Sequence, residues 1–428
     1  MKWRGVAAVV SVLAGLSAHA QDQDQADLLP RFRVNLKENL RRLPDYTCIE
    51  TVARSRRSAK ETHPQPLDTI RLRVGLIGGK ERYTWPDATA FDDRDLRDLV
   101  GRGIIGTGNF ADHVRHVFLS PAAVFKPLGS VDFRGRQAAR FDYEVPVEYS
   151  RYKLRVAPDE AEVGIHGSFL VDPETMDLLT FEVRADEIPP ELGLSRMAEN
   201  IGYARVPIGN SPFLLATSSD LTIVTLDGEE YRNQITFGEC HQFQAESKLV
   251  IDPGEPAAVA ATTPADSARA SLPPATLVEL ALDADIDPEK AAVGDSIRAI
   301  VTRPIFDGAR IIAPEGSVVR GRLVRVERSA QPFDHYVVGL EFHTLENGKT
   351  PFEFFGTMQD AGPAPGILRQ TKHVDPVFTK KRTARLDILV REKPRGEGIL
   401  QLDAKHAPIR HGLKMRWLTV DPATLGTR

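Results

Sequence analysis

Short runs in which apolar and polar residues alternate, each closed by a turn-forming pair, constrain this chain more than any other feature. Leu72, Val74 and Leu76 alternate with Arg71, Arg73 and Gly75; Gly78-Gly79 follows, and residues 81–85 return. A period of two sends successive side chains to opposite faces of a strand, and glycine tolerates the positive φ of a tight hairpin. The pattern recurs: residues 168–171 and 178–184 flank Asp172-Pro173-Glu174-Thr175, 221–226 and 231–237 flank Asp227-Gly228, and 336–345 and 351–355 flank Asn347-Gly348. Further strands are expected at 48–52, 140–147, 150–156, 242–251, 276–282, 294–303, 318–326, 385–391, 398–402 and around Leu413, Met415 and Trp417. Hairpins in series build antiparallel sheet, so the expected fold class is mainly β (α+β).

Helices are few. In residues 27–43, Leu29, Phe32, Leu36, Leu40 and Leu43 form one apolar stripe at helical spacing. Arg31, Arg33, Lys37, Arg41 and Arg42 lie off it, which suits a packed helix with a solvated face and leaves peripheral membrane contact as the alternative. Shorter helices are expected at 92–100 and 109–119.

A chain of 428 residues has room for more than one domain. Residues 252–275 are rich in Pro, Ala and Thr and hold only Val259 and Leu272 as large apolar residues, the composition of a linker. The expected division is therefore a signal peptide over 1–20, a first domain over 21–251, the linker, and a second β domain, a sandwich or barrel-like unit, over 276–428. The signal reading rests on Lys2 and Arg4, an apolar run over 6–16, and the small-x-small site Ala18-His19-Ala20. Cleavage after Ala20 places the mature chain in the periplasm or outside the cell, and with no cysteine at that point lipidation there is not expected.

Export gives Cys48 and Cys240 a meaning. An even count in an oxidising compartment favours one bridge, closing most of the first domain into a loop. Two cysteines are too few for a disulfide-dense scaffold or a four-cysteine zinc site. A net charge of -4 argues against a nucleic-acid partner.

Catalytic motifs are scarce. Gly101-x-Gly103-x-x-Gly106 matches the dinucleotide fingerprint as text, but it follows an acidic helical stretch instead of a strand and reads as a loop. His113 and His116 share a helix face beside Asp112, without a third ligand nearby in sequence, and read as surface histidines. No Gly-x-Ser-x-Gly elbow occurs, and Gly209-Asn210-Ser211 reads as a loop. Lys372, His373, Lys380, Lys381, Arg382 and Arg385 form a basic segment that reads as a solvated loop. No catalytic, metal or cofactor-binding residue is assigned, and no cofactor is expected; an acid pair with hydrolase chemistry stays open.

The stretch Gly167-Ser168-Phe169-Leu170-Val171-Asp172-Pro173-Glu174-Thr175, followed by Leu179-Thr180-Phe181-Glu182-Val183, resembles the strand-turn-strand hairpin of the outer-membrane lipoprotein-carrier superfamily. The resemblance implies a curved antiparallel half-barrel, helices plugging its concave face, and a lipid or lipoprotein partner. Ile311-Ile312-Ala313-Pro314-Glu315-Gly316-Ser317-Val318-Val319-Arg320-Gly321 is similar to the β-barrel domain of conjugation and type IV secretion scaffold proteins. That likeness implies envelope protein partners and docking into an assembly. The residue types also suit a plain turn, strand and bulge, with Gly321 at the bulge or at a close backbone approach. The expected function is a non-enzymatic envelope protein that binds a lipid or lipidated partner in a curved sheet. The alternative is a structural component acting through its C-terminal domain; a hydrolase of unrecognised type is third.

Overall fold

The computed structural model describes residues 27–88, 90–91, 96–100, 104–106, 110–156, 159–243, 270–329, 333–348, 351–368 and 396–421. The proposed signal segment, most of the linker and the basic segment around Lys380 lie outside these residues, as do residues 385–391 and 244–251. Two compact units are present: one comprises residues up to Pro66, Leu72–Thr84 and Ala90–Gln244, the other Leu67–Arg71, Trp85–Thr89 and the chain from Ala245. The fold is mainly β with a few helices, as the alternation requires.

The first unit contains β1 (Tyr46–Arg57), β2 (Gln65–Ile77) apart from its residues Leu67–Arg71, β3 (Lys80–Thr84), β4 (Val124–Phe133), β5 (Arg136–Val145), β6 (Tyr152–Val156), β7 (Asp159–Val171), β8 (Leu178–Asp186), β9 (Leu194–Ile208), β10 (Ser211–Thr225) and β11 (Glu230–Gln242). Its helices are α1 (residues 27–42), α2 (Leu96–Val100), α3 (Asp112–Phe118) and α4 (Val147–Ser150). The strands form one antiparallel sheet in the order β3-β2-β1-β11-β10-β9-β8-β7-β5-β4, with β6 on β7. Two meanders, β1 to β3 and β4 to β11, are thus joined where β1 pairs with β11.

The anticipated turns close the hairpins. Gly78 and Gly79 take φ of 59° and 76° between β2 and β3. Asp172 Oδ1 accepts the amides of Glu174 (2.9 Å) and Thr175 (3.0 Å), an Asx turn that leads β7 into β8. The loop expected at Gly209-Asn210-Ser211 is instead the tip of the β9–β10 hairpin. Ser211 pairs with Ile208 and Pro212 with Pro207, so the prolines lie opposite each other inside the ladder. Residue 150, expected to begin a strand, ends α4, a single turn that hands the chain from β5 to β6.

Register shifts bend the sheet. They occur between Thr47 and Ile49 in β1, Pro127 and Ser130 in β4, and Ala216 and Ser218 in β10. An extra residue on one strand increases local twist and curls a sheet. In the first of these, Cys48 forms a disulfide with Cys240. The bond staples the two meanders together at their junction.

The second unit contains β12 (Leu277–Leu282), β13 (Ser296–Val301), β14 (Ile305–Asp307), β15 (Arg310–Ala313), β16 (Val318–Ser329), β17 (His335–Glu346), β18 (Phe352–Glu353), β19 (Gly356–Ala361), β20 (Gly398–Asp403) and β21 (Lys414–Thr419). Seven strands run in the order β18-β17-β16-β13-β12-β21-β19, with β20 on β17 and β14–β15 as a separate pair. Its core is centred on Trp417, edge-on to Phe342 (5.1 Å) and Phe354 (6.3 Å). Gly321 lies at a register shift between β16 and β17, and a Cβ there would stand 2.1 Å from the Glu341 carbonyl oxygen, so no larger residue fits.

Candidate functional site

Strand parity on β1 turns Tyr46, Cys48, Glu50 and Val52 to one face, and all four are buried. Glu50 is thus an acid at a position where the period of two demands an apolar side chain. Its relative exposure is 0%, and neither carboxyl oxygen has a hydrogen-bond partner. The same parity turns Glu81 and Tyr83 inward from β3, and Glu199, Ile201 and Tyr203 inward from β9.

These strands converge on α3. Glu81 Oε1 accepts the amides of Ala111 (2.8 Å) and Asp112 (3.1 Å), satisfying two donors at the start of that helix. Tyr83 Oη donates to Glu81 Oε2 at 2.9 Å. His113 Nε2 lies 3.2 Å from Glu199 Oε2, and Ser219 Oγ on β10 donates to Glu199 Oε1. In the sheet order β3 and β9 are separated by four strands, which in a flat sheet is about 24 Å at about 4.8 Å per step. Both nevertheless reach adjacent residues of one short helix. The sheet therefore curls around α3, and this contact set is the direct evidence for the half-barrel.

The histidine expectation needs correction on this point. His113 is buried, with 5% exposure, because α3 lies inside the curl with that face against β9; His116, three residues on, is exposed. Tyr152 on β6 stacks beside the His113 ring at 5.0 Å. Among the described residues, no three His, Cys, Asp or Glu side chains are placed to hold a metal ion.

Burial and like charge set the protonation states. Burial pushes the Glu50 carboxyl up to about 8, and the Glu81 and Glu199 carboxyls push it the same way. Burial and Asp112 also raise Glu81, against the hydrogen bonds from Ala111 and Tyr83. Burial, the largest single influence, pulls the His113 imidazole down, but the close contact with Glu199 and the negative charges of Glu199, Glu81 and Asp112 together outweigh it and hold the group above its usual range. Burial raises the phenols of Tyr83, Tyr152 and Tyr203, so all three are neutral hydrogen-bonding groups at physiological pH. The Tyr203 hydroxyl, like Glu50, has no hydrogen-bond partner.

The concave face changes character along α3. Five residues beyond His113, Phe118 enters an aromatic cluster. Phe118 meets Phe169 edge-on at 4.9 Å, Phe32 of α1 at 5.1 Å, Phe181 at 5.5 Å and Phe125 at 5.8 Å. Phe141 stacks on Phe169 and Tyr143 on Phe181, each at 5.1 Å. Gly167 allows this crowding: a Cβ there would lie 2.0 Å from the Glu182 carbonyl oxygen and 3.1 Å from the Tyr143 ring.

Helix α1 covers the cluster with Leu28, Phe32 and Leu36, spaced i, i+4; Leu28 takes the buried place expected of Leu29, which with Leu40 and Leu43 is only partly buried. Polar contacts that fasten it are the guanidinium of Arg33 on the Phe118 carbonyl (3.0 Å), Asn35 on the Met176 carbonyl (3.0 Å), and Asn39, which exchanges bonds with the Leu214 backbone. Arg33 thus leaves the basic face and supplies a cation at the C-terminal end of α3, where helix carbonyls lack partners. The concave surface therefore has an aromatic half under α1 and an acid–tyrosine half under the start of α3.

No family model and no curated protein matches the chain. Solved structures give partial likenesses. One is a LolA superfamily protein from Nitrosomonas europaea, at 9% identity, covering 51% of this chain and 97% of that one with a TM-score of 0.25. A second is an outer membrane lipoprotein-sorting protein domain from Vibrio parahaemolyticus, at 12% identity, covering 48% and 88% with a TM-score of 0.24. A third is a DUF1329 family protein from Desulfovibrio piger, at 11% identity, covering 54% and 95% with a TM-score of 0.24. None of the three supports the expected likeness of residues 311–321 to secretion scaffolds.

Proposed function

We propose that this is a non-enzymatic envelope protein whose first unit binds a lipid or a lipidated partner on its concave face. The reading includes export by the segment over 1–20, with cleavage after Ala20, and a linker over 252–275 that carries the C-terminal β domain. The supporting observation is the aromatic half of the concave face. A contiguous surface of Phe125, Phe141, Phe169, Phe181 and Tyr143 is roofed by α1 and α3, and the polar contacts described for α1 are side chain to backbone. Displacing α1 exposes an apolar trough of the sort that shelters an acyl chain, and the acid–tyrosine half beside it offers hydrogen bonds to a head group. The Cys48–Cys240 disulfide suits an oxidising compartment.

Native mass spectrometry of the protein purified gently from a periplasm tests this. Extra mass that matches a lipid and is lost on denaturation is the expected result. A bare mass, together with no fluorescence gain from an environment-sensitive acyl probe, overturns the lipid reading and leaves the interaction role of the C-terminal domain in its place.

A further inference from the structure

We propose that the acid–tyrosine half of the concave face is a binding site for a protonated primary amine, seated between the Glu50 carboxylate and the Tyr203 hydroxyl. The inference deepens the lipid reading by naming the chemistry of the head group, and it rests on that reading only for the attached acyl chain.

Three observations carry it. Glu50 is wholly buried with both oxygens unpartnered, whereas Glu81 and Glu199 each have defined donors: two backbone amides and Tyr83 for the first, Ser219 for the second, whose other oxygen lies 3.2 Å from His113 Nε2. A buried carboxyl left without partners is costly, and its two oxygens accept strongly once ionised. Second, the charges acting on Glu50 are both negative, the carboxyls of Glu81 and Glu199, whereas Arg115 acts on Tyr46 and His113 sits against Glu199, so Glu50 itself is left without a cation. Third, the Tyr203 hydroxyl also lacks a hydrogen-bond partner, and two of the groups that act on it, Glu199 and Glu81, are the same ones that act on Glu50, which puts both in one neighbourhood. An ammonium has three donors and matches two carboxylate oxygens and one phenol oxygen. A metal ion fits less well, because the described acids and histidines do not converge as ligands.

The groups facing the site from each element are Tyr46 and Glu50 on β1, Glu81 and Tyr83 on β3, Glu199 and Tyr203 on β9, and Asp112, His113 and Arg115 on α3. Entry requires the start of α3 to lift, breaking the Glu81 cap and the His113–Glu199 contact. Binding also requires Glu50 to ionise, so each amine bound releases one proton while Glu50 is protonated in the free protein. Affinity for the amine therefore rises about tenfold per pH unit until the pH passes the Glu50 value, then levels off.

The test titrates the intact protein with ethanolamine, with dihexanoyl phosphatidylethanolamine and with dihexanoyl phosphatidylglycerol, following binding calorimetrically in two buffers of different protonation enthalpy. The expected result is binding of the amine lipid with one proton released, weaker binding of the glycerol lipid, and a loss of at least tenfold in amine affinity in Glu50→Gln. Tyr203→Phe, which keeps the ring, shows a smaller loss in the same direction. Equal affinity for both lipids, with no proton release and no effect of Glu50→Gln, overturns the amine site while leaving the lipid reading intact. Ethanolamine binding without lipid binding supports the amine site and overturns the lipid reading. No binding of any probe overturns both.

Discussion

Replacing Glu50 with Gln is the sharpest test of the buried acid cluster. The carboxyl titrates near its ordinary value of 4.5 in the unfolded chain and at about 8 in the folded one. Folding therefore favours the protonated form. The stability associated with this group is fully present below the unfolded value and is lost as the pH rises towards the folded value, the reverse of an ordinary salt-bridged acid. Each step of one in pKa is worth about 1.4 kcal/mol, so the loss grows to about 3 kcal/mol near pH 7 and about 5 kcal/mol above pH 8. Gln has nearly the same shape and never ionises. Wild type and Glu50→Gln should thus be of similar stability near pH 4, and the variant should be more stable by about 3 kcal/mol near pH 7. Urea unfolding across this pH range, followed by hydrogen exchange of the β1 and β11 amides, reads the difference within the first unit. Parallel curves for the two proteins, or a variant less stable at alkaline pH, would refute the argument that Glu50 is buried without a cation.

Other perturbations address the remaining parts. Cys48→Ser should lower the stability read from urea unfolding, by an upper estimate of roughly 5 kcal/mol for a loop of this length, and reductant should do the same to wild type but nothing to the variant. Phe169→Ala, at the centre of the aromatic cluster, should cost about 3–5 kcal/mol of the first unit's stability by thermal or urea unfolding. Glu81→Ala should accelerate hydrogen exchange of the Ala111 and Asp112 amides selectively, since both lose their acceptor. Gly321→Ala should destabilise the second unit in urea unfolding, because the added carbon meets the Glu341 carbonyl with no flexible side chain to give way.

Hairpins with local signals were legible in the sequence: β2–β3, β7–β8 and β10–β11 each combine a period of two with a glycine or Asx turn. Strand β9 was not, because Ser195, Arg196, Glu199 and Asn200 interrupt its apolar run and Pro207 and Pro212 read as strand breakers. They are accommodated because they face each other at the end of a long ladder. The acid cluster was invisible for a different reason. Glu50, Glu81, Glu199 and His113 are brought together by curl, and no sequence spacing encodes which strands a curled sheet will set around one helix. A signal did exist at Glu50 itself: an acid in phase with Tyr46, Cys48 and Val52 on a strand with one buried face.

The pairing of β1 with β11 has a consequence for how the protein comes into being. A strand formed near the start of the chain finds this neighbour only when a segment nearly two hundred residues later arrives; Tyr46 lies opposite Gln242. Until then β1 is an open edge with unsatisfied amides and carbonyls, a template for pairing with other chains. Topologies that close so late fold slowly, because the ends of a long loop must meet before any contact compensates for the lost freedom. The half-barrel therefore closes only when β11 is in place, and the order of the strands leaves that edge of the concave face uncovered until the last strand of the unit arrives.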